Sequence, residues 1–345
     1  MMFLNHVYKL AATLLSPGGA NGHLSILIYH RVLAQADPLF PHEVTQTTFD
    51  VQMASLKTVF NVLPLSEAVE RLQQGTLPAR AACITFDDGY ADNATLALPI
   101  LQRHGLTATF FIATAYLNGG RMFNDTVIEA IRHAGLSSLD LTELGLGKFD
   151  VSSFEAKACA INRILPELKY LPLDVREEKV ARLCELAQVA ALPANLMMNS
   201  EQLKMLYQAG MEIGAHTARH PILAGMDGEA VKQEILEGRQ FLETLLDTQI
   251  RVFAYPNGKP GIDYLHEQAK IVARLGFVAA VSTQRAVASV HSDPFQLPRF
   301  TPWQSNIHYF IPELLKNLRN RRAGIRTTLE NQYFERKRKR LRRES

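Results

Sequence analysis

Two short segments hold the residues best suited to chemistry. Thr85-Phe86-Asp87-Asp88-Gly89-Tyr90 sets two adjacent carboxylates at the end of an apolar run, Ala81 to Ile84. His216-Thr217-Ala218-Arg219-His220 sets two imidazoles four residues apart after a second apolar run, Met211 to Ala215. One carboxylate and two imidazoles make a three-donor site for a divalent metal, with positions left for water and substrate. The remaining carboxylate is then free to serve as a general base. Together these groups point to metal-assisted hydrolysis. Each segment is weak alone, because an Asp-Asp pair is more often a turn or a helix cap and a spaced histidine pair is often coincidence. Their common position strengthens both, since α/β folds build their sites at the carboxyl ends of parallel strands. If residues 216 to 220 are helix-like, the spacing puts both imidazoles on one side. Adjacent residues leaving a strand do not easily aim at one metal. The two carboxylates should therefore divide the work of ligand and base, although the residues alone do not say which does which.

These segments resemble the first two motifs of the polysaccharide deacetylases, the NodB-like carbohydrate esterases. The resemblance takes in Ile28-Tyr29-His30-Arg31-Val32, Phe253-Ala254-Tyr255-Pro256-Asn257-Gly258 and Leu297-Pro298-Arg299-Phe300. It runs from roughly Leu24 to Trp303, apart from a stretch in the middle. The motif order is similar to the branch that deacetylates poly-N-acetylglucosamine and related bacterial exopolysaccharides. The resemblance implies Asp88, His216 and His220 as metal ligands and Asp87 as the base. Zinc is the default ion for such donors, and cobalt or nickel fits them too. Asn257 falls where the family places an oxyanion-stabilising N–H. Tyr90 and Tyr255, inside motifs, are expected to face the sugar. The chain departs from the family at Ala254, where an Arg that tethers the base is expected. Arg299 is the substitute, because a guanidinium holds a carboxylate at two points. The family's C-terminal Leu-x-His acid has no good match here. In the permuted exopolysaccharide branch the front strand supplies the acid, which makes it His30, an imidazole suited to neutral pH.

The activity implied is metal-dependent removal of N-acetyl groups from an N-acetylhexosamine polysaccharide or glycolipid precursor. Two alternatives stand beside it. One is the same fold acting on a non-sugar amide or imide. The other is an inactive glycan-binding protein, against which the intact Asp87, Asp88, His216 and His220 set argues.

The elements that must position these groups are legible as alternating strands and helices. Apolar runs predict strands at Leu24–Tyr29, Ala82–Phe86, Thr107–Ala113, Met211–Ala215, Arg251–Ala254 and Phe277–Val281. Helical spacing predicts helices from Thr48, at Leu65–Gln74, Ala94–His104, Gly228–Leu246 and Asp263–Leu275. This alternation implies a mostly parallel sheet. The fold class is α/β, a distorted (β/α) barrel of about seven parallel strands. Residues 123–199 are rich in helix formers, supply no convincing strand, and read as a helical insertion. The expected organisation is a helix and linker over 1–22, the catalytic domain over 23–310 and a basic tail over 311–345.

The 345 residues are 47% hydrophobic and 21% charged, which excludes wholesale disorder. The formal charge of +3 misleads. Residues 316–345 hold twelve Lys or Arg against three Glu, so the rest of the chain is net negative. Cys83, Cys159 and Cys184 have no ligand or disulfide spacing. No stretch is long and apolar enough for a membrane span, and Lys9 interrupts what would be a signal-peptide core. An amphipathic helix over Phe3–Leu15 fits better, packed on the domain or lying on a membrane surface. The expected location is cytoplasmic or peripheral to a membrane, with export left open. The expected partners are an N-acetylated or lipid-linked glycan and an anionic membrane surface, with no nucleic acid.

Overall fold

The computed structural model describes residues 2–302 and 307–320. The basic run Arg336–Arg343 lies outside the described residues. The strands are β1 (Ser25–Tyr29), β2 (Asn61–Val62), β3 (Ala81–Phe86), β4 (Thr109–Ile112), β5 (Ser138–Leu141), β6 (Gly147–Asp150), β7 (Glu212–Ala215), β8 (Val252–Ala254) and β9 (Ala279–Val281). The helices are α1 (Met2–Leu15), α2 (Gln46–Val59), α3 (Leu65–Gln73), α4 (Leu98–His104), α5 (Phe123–His133), α6 (Phe154–Lys169), α7 (Leu173–Leu186), α8 (Ser200–Gln208), α9 (Gly228–Leu246), α10 (His266–Arg274) and α11 (Ile307–Leu318).

Every residue of β1, β3, β4 and β8 is buried, which is why these strands read as unbroken apolar runs. Seven strands form one parallel sheet in the order β1-β3-β4-β7-β8-β9, with β2 also beside β3. Registers such as Tyr29 with Phe86 and Phe86 with Phe110 bring successive aromatic rings together. Phe86 stacks on Phe110 with ring centroids 4.8 Å apart. Parallel neighbours require crossovers, and the helices supply them. Their ends follow local chemistry. Asp227 caps α9 by accepting from Glu229 and Ala230 N–H, and Gly105, at φ 60°, ends α4 in the left-handed region. The expected distorted barrel of about seven parallel strands is the fold observed.

Its closure was not foreseen. Residues 297–300 run between the two edge strands as a pair of parallel bridges. Leu297 pairs with Val281 of β9 and Phe300 with Leu27 of β1. These staves are too short to count as a strand, yet Phe300 N donates to Ile26 O at 2.7 Å and Ile28 N to Phe300 O at 3.0 Å. Arg299 sits on this closing segment.

The 123–199 region corrects one expectation. It contains an antiparallel hairpin, β5 with β6, beside α5, α6 and α7. Ser138-Leu139-Asp140-Leu141 does alternate, but each strand is only four residues long, with Gly145 and Gly147 at the turn, too short a run to stand out among the helix formers around it. The region has a core of its own, in which Val127, Ile131, Leu139, Phe149, Ile161, Ile164 and Leu183 are buried together. Helix α1 packs against α2 and α11 and buries Ala12. Its opposite face leaves Leu4, Val7, Leu10 and Leu14 exposed, the last by 75%. No helix among the described residues is long and apolar enough to cross a membrane.

Candidate active site

Asp87 and Asp88 leave the end of β3 and diverge. Asp88 adopts φ 76°, a left-handed backbone that a non-glycine residue takes only where its surroundings impose it. The turn aims the two carboxylates at different partners. Asp87 meets Arg299, which donates from Nη1 to Oδ1 and from Nη2 to Oδ2, each at 2.7 Å. Arg299 also donates from Nε to Ser282 O at 2.9 Å and from Nη1 to Thr85 Oγ1 at 3.1 Å. Both side chains are almost wholly buried. Burial alone would raise the Asp87 carboxyl, but the Arg299 charge and hydrogen bonds outweigh it and hold Asp87 below its usual value.

Asp88 meets the histidines. Its Oδ1 lies 3.4 Å from His216 Nε2 and 3.4 Å from His220 Nε2. The three donor atoms all lie within 4.8 Å of one another. His216 Nδ1 is 2.7 Å from Ala254 O. A carbonyl only accepts, so Nδ1 carries the proton and the Nε2 lone pair faces Asp88. Asp88 Oδ1 is buried without a hydrogen-bond partner. Buried acceptors converging in this way call for a positive charge between them. The histidines show the same demand. Burial lowers His216, yet Asp88 and Asp87 together raise it, whereas burial, reinforced by His216, pushes His220 down to about 3 despite Asp88. The donor set and the orphaned Asp88 oxygen fit a divalent ion with nitrogen and oxygen ligands.

The histidines do not reach this arrangement on a helix. Residues 216–220 form a loop in which Thr217 and His220 are left-handed, at φ 64° and 51°. Thr217 Oγ1 accepts from His220 N at 3.0 Å. Helix α9 fixes the loop from outside. Ala218 N donates to Glu234 O, and Arg219 N donates to Glu234 Oε2 at 2.9 Å. Gly238 gives the loop room, since a Cβ there would stand 2.6 Å from Thr217 O.

His30, Asp87, Asp88, Tyr90, His216, His220 and Asn257 line one cavity of about 580 Å³, within the range of small-ligand sites. His30 is exposed at its rim, and its backbone carbonyl accepts from Asn93 Nδ2 at 2.8 Å. Asn257 is left-handed, at φ 58°, and its carbonyl accepts from Thr283 Oγ1 at 2.9 Å. Tyr255 is a correction. It lies at 0% exposure, stacks on Tyr264 at 3.7 Å between ring centroids, donates its hydroxyl to Phe295 O and does not line the cavity. Its place inside the motif reflects packing, because the strand alternation that aims site residues outward also sends neighbours inward.

The other wall of the cavity comes from residues the sequence reading missed. Helix α5 contributes Phe123, Asp125 and Arg132, and α6 contributes Leu165 and Lys169. Two latches hold this roof over the barrel. Arg132 donates to both Asp37 oxygens, at 2.9 and 2.6 Å, and Tyr170 donates to Asp263 Oδ1 at 3.2 Å beside the Lys169–Asp263 pair at 3.3 Å. Asp125 is the most unusual group of the roof. Burial, with the Asp88 charge, raises its carboxyl to about 7. Tyr90 donates its hydroxyl to Asp125 Oδ1 at 3.0 Å, and the Arg31 guanidinium sits 4.9 Å above the Tyr90 ring. Nothing but position in three dimensions marks these roof residues, which look like ordinary helix residues in sequence.

Comparison with known proteins agrees with this geometry. The polysaccharide deacetylase family profile matches residues 74–139 and 187–280. It leaves out β1 with His30, the middle of the roof and the closing segment with Arg299. The Bacillus subtilis (strain 168) protein YxkH, named for the same family, is 23% identical over 278 residues, covering 80% of this chain and 70% of that protein. The Streptococcus pyogenes deacetylase PplD, solved in complex with acetate, superposes with a TM-score of 0.57 at 21% identity over 86% of this chain and 98% of that one. IcaB from Ammonifex degensii gives 0.54 at 18% identity over 88% and 98%. The curled parallel sheet and the pairing of Asp87-Asp88 with His216 and His220 accord with the matched profile, which identifies a polysaccharide deacetylase domain in this chain.

Proposed function

We propose that this protein removes the acetyl group from the nitrogen of an N-acetylhexosamine unit, in a glycan or a lipid-linked glycan precursor. The observation that carries the reading is the division of Asp87 from Asp88. One carboxylate is pinned by Arg299, and the other is orphaned opposite two histidines within one cavity. Asp88, His216 and His220 would hold a divalent cation, with zinc as the default and cobalt or nickel as substitutes. Such a cation supplies Lewis acidity, which an amide carbonyl needs because it is a poor electrophile.

The chain's own residues supply the rest. Asp87 stays ionised at neutral pH and accepts the proton of the attacking water. Arg299 fixes its plane at two points, so the acceptor lone pairs keep one direction. Asn257 offers its backbone N–H to the developing oxyanion, since none of the loop's own bonds uses it. His30, at the rim, delivers a proton to the departing nitrogen. Tyr90 and the roof shape the sugar side of the cavity. The test is an acetate-release assay on a panel of N-acetylated glycans, with and without a chelator. Chelator-sensitive release from a glycan is the expected result, and release only from small cyclic amides would overturn the reading.

A further inference from the structure

The roof carries a polar group that the deacetylation chemistry does not use. Asp125 stands in the first turn of α5, is 5% exposed and lines the same cavity as Asp87 and Asp88. Its Oδ1 accepts from Tyr90 Oη at 3.0 Å, while its Oδ2 is buried with no hydrogen-bond partner. The carboxylates beside Arg132 are engaged otherwise. Asp37 is held by Arg132, and Glu129 pairs with Arg132 at 3.0 Å. Arg31, above the Tyr90 ring, is turned to Asp92 at 2.8 Å, so it does not satisfy Asp125. Buried acceptors are nearly always paired, and one left open in a ligand cavity is kept for a donor that arrives with the ligand.

The chemistry of the arrangement narrows that donor. The acetyl group must reach Asp87, Asp88, His216 and His220, so whatever meets Asp125 belongs to the body of the substrate. The wall around Asp125 is mixed, with Phe123, Ile128 and Leu165 beside Asn124 and Asn162. Such a wall suits a ring with apolar faces and polar edges. A hydroxyl serves Asp125 in either protonation state, because it donates and accepts. We propose that Asp125 is a specificity-determining residue that reads a ring hydroxyl of the sugar whose acetamido group lies at the Asp88 site. The proposal rests on the sugar reading of the substrate given above. It makes α5 the element that separates an acetylated sugar from an acetyl compound without hydroxyls.

The experiment compares two probes on the full chain loaded with zinc. One is an acetylated chito-oligosaccharide, and the other is para-nitrophenyl acetate, which has an acetyl group and no hydroxyl. Asp125→Ala is expected to lower kcat/KM on the oligosaccharide by about tenfold or more, chiefly through KM, and to leave the ester within about twofold. Asp125→Asn, which keeps one oxygen acceptor, should recover part of the loss. Asp125→Asn is nearly isosteric, so it also serves should Asp125→Ala fail to fold, and it should still shift the oligosaccharide more than the ester. Equal losses on both probes, or an unchanged oligosaccharide rate, would overturn the role of Asp125 alone. A wild-type protein that turns over the ester and releases no acetate from any glycan would instead remove the sugar reading, and this proposal with it.

Discussion

At the scale of residues, the site depends on two neighbours doing different things. Asp88→Ala, His216→Ala and His220→Ala should each lose bound metal and acetate release together, as read by metal analysis of the purified protein. Asp87→Asn should keep stoichiometric metal and lose turnover by roughly 10²- to 10⁴-fold, the usual range for a missing general base. Retained metal in all three ligand variants would dismiss the site as drawn. Arg299 has a second consequence. It neutralises a carboxylate that is almost wholly buried, so Arg299→Met should destabilise the fold by about 3–5 kcal/mol, as breaking a buried pair from one side does. Chemical denaturation measures this directly. A loss under about 1 kcal/mol would mean that Asp87 finds other solvation.

At the scale of elements, the histidine loop is positioned by what lies behind it. Gly238→Ala sets two effects against each other. Alanine favours a helix over glycine by about 1 kcal/mol, but its Cβ must push Thr217 O away from 2.6 Å. The clash falls on the loop rather than on the helix, so the melting point should change little while metal affinity drops, measurable by titration with zinc. Unchanged affinity would mean the loop yields without moving the imidazoles. The roof latch responds to acid. Burial would raise Asp37, but the Arg132 hydrogen bonds prevail and lower it. A lowered folded-state value means that the latch contributes above the ordinary carboxylate range and is lost as pH falls through the folded value. The protection of α5 amides, taken relative to the intrinsic exchange rate at each pH, should therefore fall on strong acidification, and Asp37→Asn should show the lowered protection already at neutral pH. Identical exchange in the two proteins would show the latch to be idle. Much of this architecture was legible beforehand. Strands buried on both faces advertise themselves as apolar runs, and the bounds of α9 were readable to the residue. Arg299 was found because a missing partner at Ala254 left Asp87 needing a cation. What stayed hidden were features made only by assembly. These are the four-residue strands of the hairpin, the two-bridge closure at 297–300 and the loop that replaces a helical histidine pair. Tyr255 misled for the same reason, since a motif aligns residues without saying which face they take.

At the scale of the molecule, one apolar surface takes no part in lining the cavity. Helix α1 turns Leu4, Val7, Leu10 and Leu14 outward, and the helix it packs against, α11, leads into the basic C-terminal run. An apolar stripe, on a chain whose sequence also carries a run of positive charge, suits an anionic lipid surface. Full-length protein should co-sediment with phosphatidylserine vesicles at low salt and be released as salt screens the charge. Replacing Leu10 and Leu14 by Glu should abolish the effect, and equal negligible sedimentation of both proteins would remove the membrane from the account. The closure of the barrel reaches further, into the order in which the protein can be made. Asp87 emerges from the ribosome long before Arg299, its partner 212 residues later in the chain. Until residues 297–300 arrive, β1 and β9 are open edges and a carboxylate destined for the interior has no counter-charge. The nascent sheet must therefore wait, solvated and vulnerable to wrong strand pairing, for its last stave. A ribosome stalled between His220 and that stave would hold a chain with Asp88, His216 and His220 already synthesised and its barrel still unclosed.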